Sequence, residues 1–394
     1  MTLIRTIFLG ILIACPLFAS PPTKLAFTSC IWHHDPRIWS EIGTHMIHTY
    51  QPDIVLLLGD IVYADISKNG RIGLDYAHRR IRPRFIYPFF FSRRFSLSHM
   101  DDSYAQFKSS LFYQDLRHYF RHHPRNDALL QSINGDAGII SVWDDHDYGI
   151  NDGGAWHPKK VALKGIFQSH FGINPHSGLA ADAPGIYGSY RFGPNKQGQL
   201  IILDCRSFKT PHFKLSDTES PTILGAQQWK WLMTQLQEPA ELRLIAASIP
   251  VIPTDIYQWK QGKWKSKWKE RWHLFGNERE QLLSLLAKST GQSVILSGDW
   301  HVADISRIQY QGKEIVEITG GGWHTDRPTY KGYRGLRRRF KHEHSIPSVQ
   351  ADMPPSRWQN FGTVTIDWSR EQVHLASYTK EGRIFPGYEY WVSF

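Results

Sequence analysis

Short apolar runs recur along the chain at residues 25–28, 54–58, 138–143, 200–203, 242–247, 293–296 and 315–318. Their length fits strands, and their lack of alternation fits strands covered on both faces. Helical spacing fills the gaps. In "DPRIWSEIGTHMIHTY" Asp35 stands as the N-cap and Pro36 at the first helical position, and Trp39, Ile42, Met46 and Tyr50 fall on one face. Further helices are predicted over about 102–118, 158–170, 225–237 and 277–288. Residues 361–366 and 372–378 alternate and predict a closing hairpin. Trp259, Trp264, Trp268 and Trp272 follow one another at spacings of five, four and four, which predicts the packed face of an amphipathic helix. The pattern is that of a layered α/β protein, with one catalytic domain over 21–394 and long loops inserted at 71–95 and 327–344.

Composition narrows this. Of 394 residues, 41% are hydrophobic and 13% aromatic, enough for a large core and too much for wholesale disorder. Residues 1–20 place Arg5 before an apolar run over 7–14 and small residues at Ala19 and Ser20, the layout of a secretory signal peptide. "LIAC", ending at Cys15, also has the form of a lipobox, so the expectation is export to a periplasmic or extracellular compartment, either as a released protein or anchored through Cys15. Cys30 and Cys205 are the other two cysteines, which excludes a disulfide scaffold and leaves a single bridge between them open. The formal net charge of +10 favours anionic partners, with phosphate esters, anionic lipid and nucleic acid all open. The arginine-rich inserted loops read equally as solvated basic surface or as a substrate rim.

Candidate chemistry sits where strands end. "LLLGDIVYAD" carries Asp60 and Tyr63, "ISVWDDHDYGIND" carries Asp144, Asp145, His146 and Asp147, and "SVILSGDWHVAD" carries Asp299 and His301. Ligands of open α/β sheets lie beyond the carboxyl ends of the strands, so these groups should converge. Carboxylates packed together repel unless cations sit between them, and that implies metal. Cys30 ends the first strand at the same edge, where the plain alternative is a small core cysteine. A phenolate and a thiolate together with carboxylates select iron among the common ions.

Taken in order, "TSC", "GDIVYAD", "WDDHDYGIND", "LDCRSF", "LSGDWH" and "TGGGWH" resemble the motif series of alkaline phosphatase D (PhoD-type) enzymes, a branch of the calcineurin-like metallophosphoesterases, over residues 25–325. The resemblance implies an α/β/β/α sandwich and a phosphoric ester hydrolase. It implies Fe(III) on Cys30, Asp60 and Tyr63, a second site, typically Ca(II), bridged by Asp60, and other divalent metals as substitutes. Asp145 and Asn151 are expected near that second metal and the phosphate, with Asp299 and His301 completing the metal shell. His146 is expected over the scissile phosphate and Arg206 as a phosphate clamp. His324, in the glycine-rich turn, is a further substrate-binding candidate. Two features depart from the family: the leader lacks a twin-arginine pair, and Cys205 stands where another residue is usual.

The substrate is expected to be a phosphomonoester or phosphodiester. Phospholipase D-like cleavage of phospholipid and nuclease activity stand as alternatives, followed by a non-catalytic binder of anionic polymers. No stable protein partner is implied. The histidine pair His33 and His34 is expected to lie mostly outside the site, and Ser248 to be a plain strand end.

Overall fold

A computed structural model of the chain describes residues 21–33, 39–65, 96–123, 138–172, 185–212, 215, 218–255, 257–260, 263–266, 270–323, 340–341 and 359–394. The leader with Cys15, the cap Asp35, His34, His324 and most of both inserted basic loops lie outside the described residues.

The seven apolar runs all form strands. Strands β1 (Thr23–Thr28), β2 (Ile54–Leu58) and β3 (Ile139–Val142) run parallel in one six-stranded sheet, and β13 (Asn360–Asp367), β14 (Gln372–Thr379) and β15 (Ile384–Ser393) continue it antiparallel beyond β1. A second six-stranded sheet has parallel β5 (Gly198–Leu203), β6 (Leu242–Ala247), β9 (Gln292–Ser297) and β11 (Lys313–Thr319), closed at its edges by antiparallel β4 (Gly188–Phe192) and β10 (Asp304–Tyr310).

Period two sorts each strand of the second sheet between two cores. Leu200, Ile202, Leu242, Leu244, Val294 and Leu296 join Leu25, Phe27, Leu56 and Val364 of the first sheet in one cluster. Their neighbours Ile201, Leu203, Ile245 and Ile295 instead meet Trp229, Leu232, Leu282 and Leu286. These belong to the helices Gly225–Gln237 and Gly276–Lys288. The first sheet's cluster also holds Met100, Phe107, Leu116 and Phe167 from its own helices. The order of layers is α/β/β/α.

Three local expectations are revised. The single helix over 102–118 is two, Leu97–Lys108 and Leu111–Arg121, because Ser110 caps the second by accepting from the Tyr113 amide at 3.3 Å. The first helix widens after Trp39–Thr44 into a π-helical segment over His45–Tyr50, still burying Ile42, Met46 and Tyr50. Among the described residues the tryptophan stripe is not helical: β7 (Tyr257–Lys260) and β8 (Lys263–Ser266) pair antiparallel with Trp259 opposite Trp264, β12 (Phe340–Lys341) adds to β7, and Trp272 opens a 3₁₀ turn, while Trp268 lies outside the described residues.

Candidate metal centre

Every parallel strand delivers its C-terminal end to one place. From the first sheet come Cys30 after β1, Asp60 and Tyr63 after β2, and Asp144–Asp147 after β3. From the second come Arg206 after β5, Ser248 after β6, Asp299 and His301 after β9, and the Gly320–Gly322 turn after β11. Backbone bonds lace these ends together: Cys30 N–H donates to Gly59 O (3.3 Å), Ile31 N–H to Asp60 O (2.8 Å) and Gly322 N–H to Ser29 O (3.1 Å). Cys30, Asp60, Asp299 and His301 all have φ between 53° and 59°. Side chains rarely adopt this left-handed region, and such outliers gather where a site fixes the backbone.

One ligand atom from each of Asp60, Asp144, Asp145 and Asp299 lies within 4.8 Å of all the others, and Asp60, Asp145 and His146 form an overlapping group by the same measure. Asp60 stands in the middle. Its Oδ2 accepts from Tyr63 Oη (3.1 Å) and Cys30 Sγ (3.6 Å), and its Oδ1 from the His146 amide (3.3 Å). Asp145 is held by one oxygen only: Oδ2 accepts from the Asp152 amide at 2.6 Å. Asp144 is held likewise, its Oδ1 taking Arg206 Nε (2.6 Å) and Ser248 Oγ (2.5 Å). The other oxygens, Asp144 Oδ2 and Asp145 Oδ1, are buried and have no hydrogen-bond partner among the described residues. A buried carboxylate oxygen left this way is costly unless a cation meets it. The donor set of carboxylates, phenol and thiol fits metal ions.

The electrostatics point the same way. Burial, followed by the charges of neighbouring carboxylates, raises the Asp60 pKa well above the carboxylate range. Burial and then Asp60 also push up both the Cys30 thiol and the Tyr63 phenol. In the metal-free protein these acids are pressed toward their neutral forms, and a cation removes that pressure.

The His146 ring packs against Tyr63, centroids 4.1 Å apart and planes tilted by 33°, and donates from Nδ1 to both oxygens of Asp65 at 2.8 and 2.9 Å. Burial alone would lower its pKa, but Asp65, Asp145 and Asp60 raise it well above the ordinary imidazole value. Its Nε2 lies 4.0 Å from Asp145 Oδ1. Arg206, expected on the phosphate, is completely buried, its guanidinium held by Asp144 and by Glu270 (NH1 to Oε2, 2.8 Å). Asn151 is half-buried beside Asp152, and His301 shares the turn of Asp299. Cys30 and Cys205 are both buried and no disulfide joins them.

Several contributors have no assigned role in the motif series. Asp65 lies inside "GDIVYAD" but two residues past the tyrosine. His33 accepts the Tyr63 amide on Nδ1 at 3.0 Å, so it supports the site it was expected to miss. Asp147 accepts the amides of Ile61, Val62 and Asp144 at 3.0–3.2 Å, clipping the β2 and β3 loops together. Ser248 braces Asp144, and Glu270 arrives on a loop with no apolar strand before it.

Two packed sheets whose parallel strands converge on a carboxylate-rich, cation-seeking centre define a protein of the metallophosphoesterase class. A family model for PhoD-like phosphatases matches residues 25–377, and the chain belongs to that family. It is a metal-dependent phosphoric ester hydrolase. A solved structure of PhoD superposes with a TM-score of 0.59 at 15% identity, covering 95% of this chain and 72% of that one. At that identity the likeness bears on the fold. A structure of GAP50, the anchor in the inner membrane complex of Plasmodium, gives a TM-score of 0.49 at 11% identity, covering 95% of this chain and 89% of that one. No curated protein sequence matches the chain.

Proposed function

We propose that this enzyme hydrolyses phosphomonoesters or phosphodiesters outside the cytoplasm, with Fe(III) held by Cys30, Asp60 and Tyr63 and Ca(II) held by Asp60, Asp144 and Asp145. Asp299 and His301 complete the shell. Ions held there would supply positive charge for the phosphoryl oxygens and an activated water for attack on phosphorus. His146 holds a proton on Nε2, kept there by the Asp65 carboxylate behind Nδ1, and passes it to the departing alkoxide. Arg206 acts from beneath, fixing Asp144 and adding positive potential without touching solvent. Asn151 and His324 are substrate contacts in this reading, and the leader over 1–20 directs export.

The observation that carries it is the pair of buried oxygens, Asp144 Oδ2 and Asp145 Oδ1, that take no hydrogen bond among the described residues, within a convergence of four carboxylates. Elemental analysis and a visible absorption spectrum of the purified protein test it, followed by assays of a mono- and a diester before and after chelation. Expected are stoichiometric iron, a charge-transfer band that Tyr63→Phe abolishes, and turnover that returns with added calcium. A protein that takes up neither ion after reconstitution, or a band that survives Tyr63→Phe, rejects these assignments.

A further inference from the structure

Glu270 belongs to none of the sequence motifs, yet it is the hub of the charges behind the metal centre. Its Oε2 accepts from Arg206 NH1 at 2.8 Å, and its Oε1 accepts from Lys209 Nζ at 2.5 Å and lies 2.7 Å from His212 Nε2. Glu270, Arg206 and Lys209 are all buried. Two arms lead from it toward the carboxylates. In one, Arg206 Nε donates to Asp144 Oδ1 at 2.6 Å. In the other, Lys209 Nζ donates to the Asp152 carbonyl at 3.0 Å, and the Asp152 amide donates to Asp145 Oδ2 at 2.6 Å. The Ala155 amide returns to Lys209 O at 2.9 Å, locking that loop from its far side. The Glu270 carbonyl meanwhile accepts from Trp300 Nε1 at 2.7 Å, tying in the turn that carries Asp299.

Asp152, His212 and Glu270 also bring ligand atoms within 4.8 Å of one another, but the Lys209 ammonium bonds to Glu270 Oε1 and the Asp152 carbonyl and lies 3.2 Å from His212 Nε2. That cluster therefore has its cation in its own side chain. Its business is geometry: each arm fixes one oxygen of a carboxylate and leaves the other oxygen presented.

We propose that Glu270 is the positioning residue of the metal centre, setting Asp144 through Arg206 and Asp145 through Lys209 and Asp152. This rests on the divalent site at Asp60, Asp144 and Asp145 proposed above. Outer groups of this kind are worth about 10–100-fold in metal affinity.

The test titrates the chelator-treated full-length protein with Mn²⁺, followed by electron paramagnetic resonance, and measures the Mn²⁺-induced rise in melting temperature of each variant against its own metal-free form. Glu270→Gln is expected to weaken Mn²⁺ binding about 10–100-fold. Lys209→Met is the sharper variant, since removing a positive charge near the site tightens cation binding if charge alone matters. Loss of the tether to Asp152 is expected instead to weaken it about tenfold. Should Glu270→Gln fail to fold, Lys209→Met decides by itself. Mn²⁺ affinity in Lys209→Met equal to or above that of the unsubstituted protein overturns the proposal, as does Glu270→Gln folding and binding normally. If the unsubstituted protein takes up no Mn²⁺, the divalent-site reading falls, and the positioning role falls with it.

Discussion

His146 shows how much one neighbour decides. The imidazole is buried and packed against Tyr63, conditions that favour its neutral form, and only adjoining carboxylates keep the proton. In the proposed site Asp60 and Asp145 would lend their charge to metal, which leaves Asp65 as the partner dedicated to Nδ1. Asp65→Asn keeps a hydrogen-bond acceptor and removes the charge. It is expected to lower kcat about 10–100-fold for esters of alkyl alcohols, which leave poorly without a proton, and to change kcat little for nitrophenyl esters. A leaving-group series on both proteins checks this; an equal loss across the series would move Asp65 out of the proton-transfer role and into general support. Asp65 was also the hardest of these residues to see in the sequence. Asp60 follows an apolar strand directly, whereas Asp65 is specified only by where the chain turns after Tyr63.

At the scale of elements, the strand ends hold the site at the expense of backbone comfort. Gly59, the residue between β2 and Asp60, has φ of 84°, and a Cβ there would lie 2.4 Å from the Asp144 Cβ and 2.9 Å from its amide nitrogen. Gly59→Ala therefore combines strain at positive φ with a collision against the next loop, together roughly 2–5 kcal/mol. Urea unfolding in chelator should show that loss, and Mn²⁺ affinity should fall as well because Asp144 is displaced; unfolding at the same urea concentration as the unsubstituted protein would contradict the packing account. The same loops explain what sequence could and could not reveal. Strands buried on both faces announce themselves as apolar runs, and the carboxylates after them are conspicuous for that reason. The edge strands β10 and β15 mix buried with exposed positions, and β4 sets a glycine, a serine and an arginine among its apolar residues, so none of the three makes an unbroken apolar run. The tryptophan spacing imitates a helix, whereas Trp259 and Trp264 stand opposite each other across the β7–β8 pair. The glycines of "TGGGWH" also have a packing reason that the sequence does not display: Gly321 would place a Cβ 2.0 Å from Ser29 Oγ, and Ser29 donates to Gly320 O at 2.9 Å. Those glycines let two sheets touch.

For the molecule as a whole, the two sheets share one apolar cluster and are also tied at their edges by Tyr390, which accepts from Arg307 and donates to Glu314, while loops between them carry buried titratable groups that tell on global stability. His157 lies in the loop that follows β3, before the helix Lys160–Phe171, with Nδ1 accepting the Lys159 amide at 3.0 Å and its ring edge-on to Tyr148. Burial, then the charge of Lys159, lowers its pKa to about 4. In the unfolded chain the same imidazole titrates near the ordinary value of about 6.5. The folded protein thus resists protonation that the unfolded chain accepts, so the sign is fixed: the contribution is complete above pH of about 6.5 and is lost as pH falls toward 4. Over that window the loss amounts to roughly 3 kcal/mol. His157→Asn retains an acceptor for the Lys159 amide but does not titrate there. With metal held saturating, its unfolding free energy should decline less steeply than that of the unsubstituted protein between pH 6.5 and 4. Parallel pH profiles would mean that His157 takes up its proton in the folded protein without cost, and would shift the acid sensitivity of the fold to its carboxylate clusters.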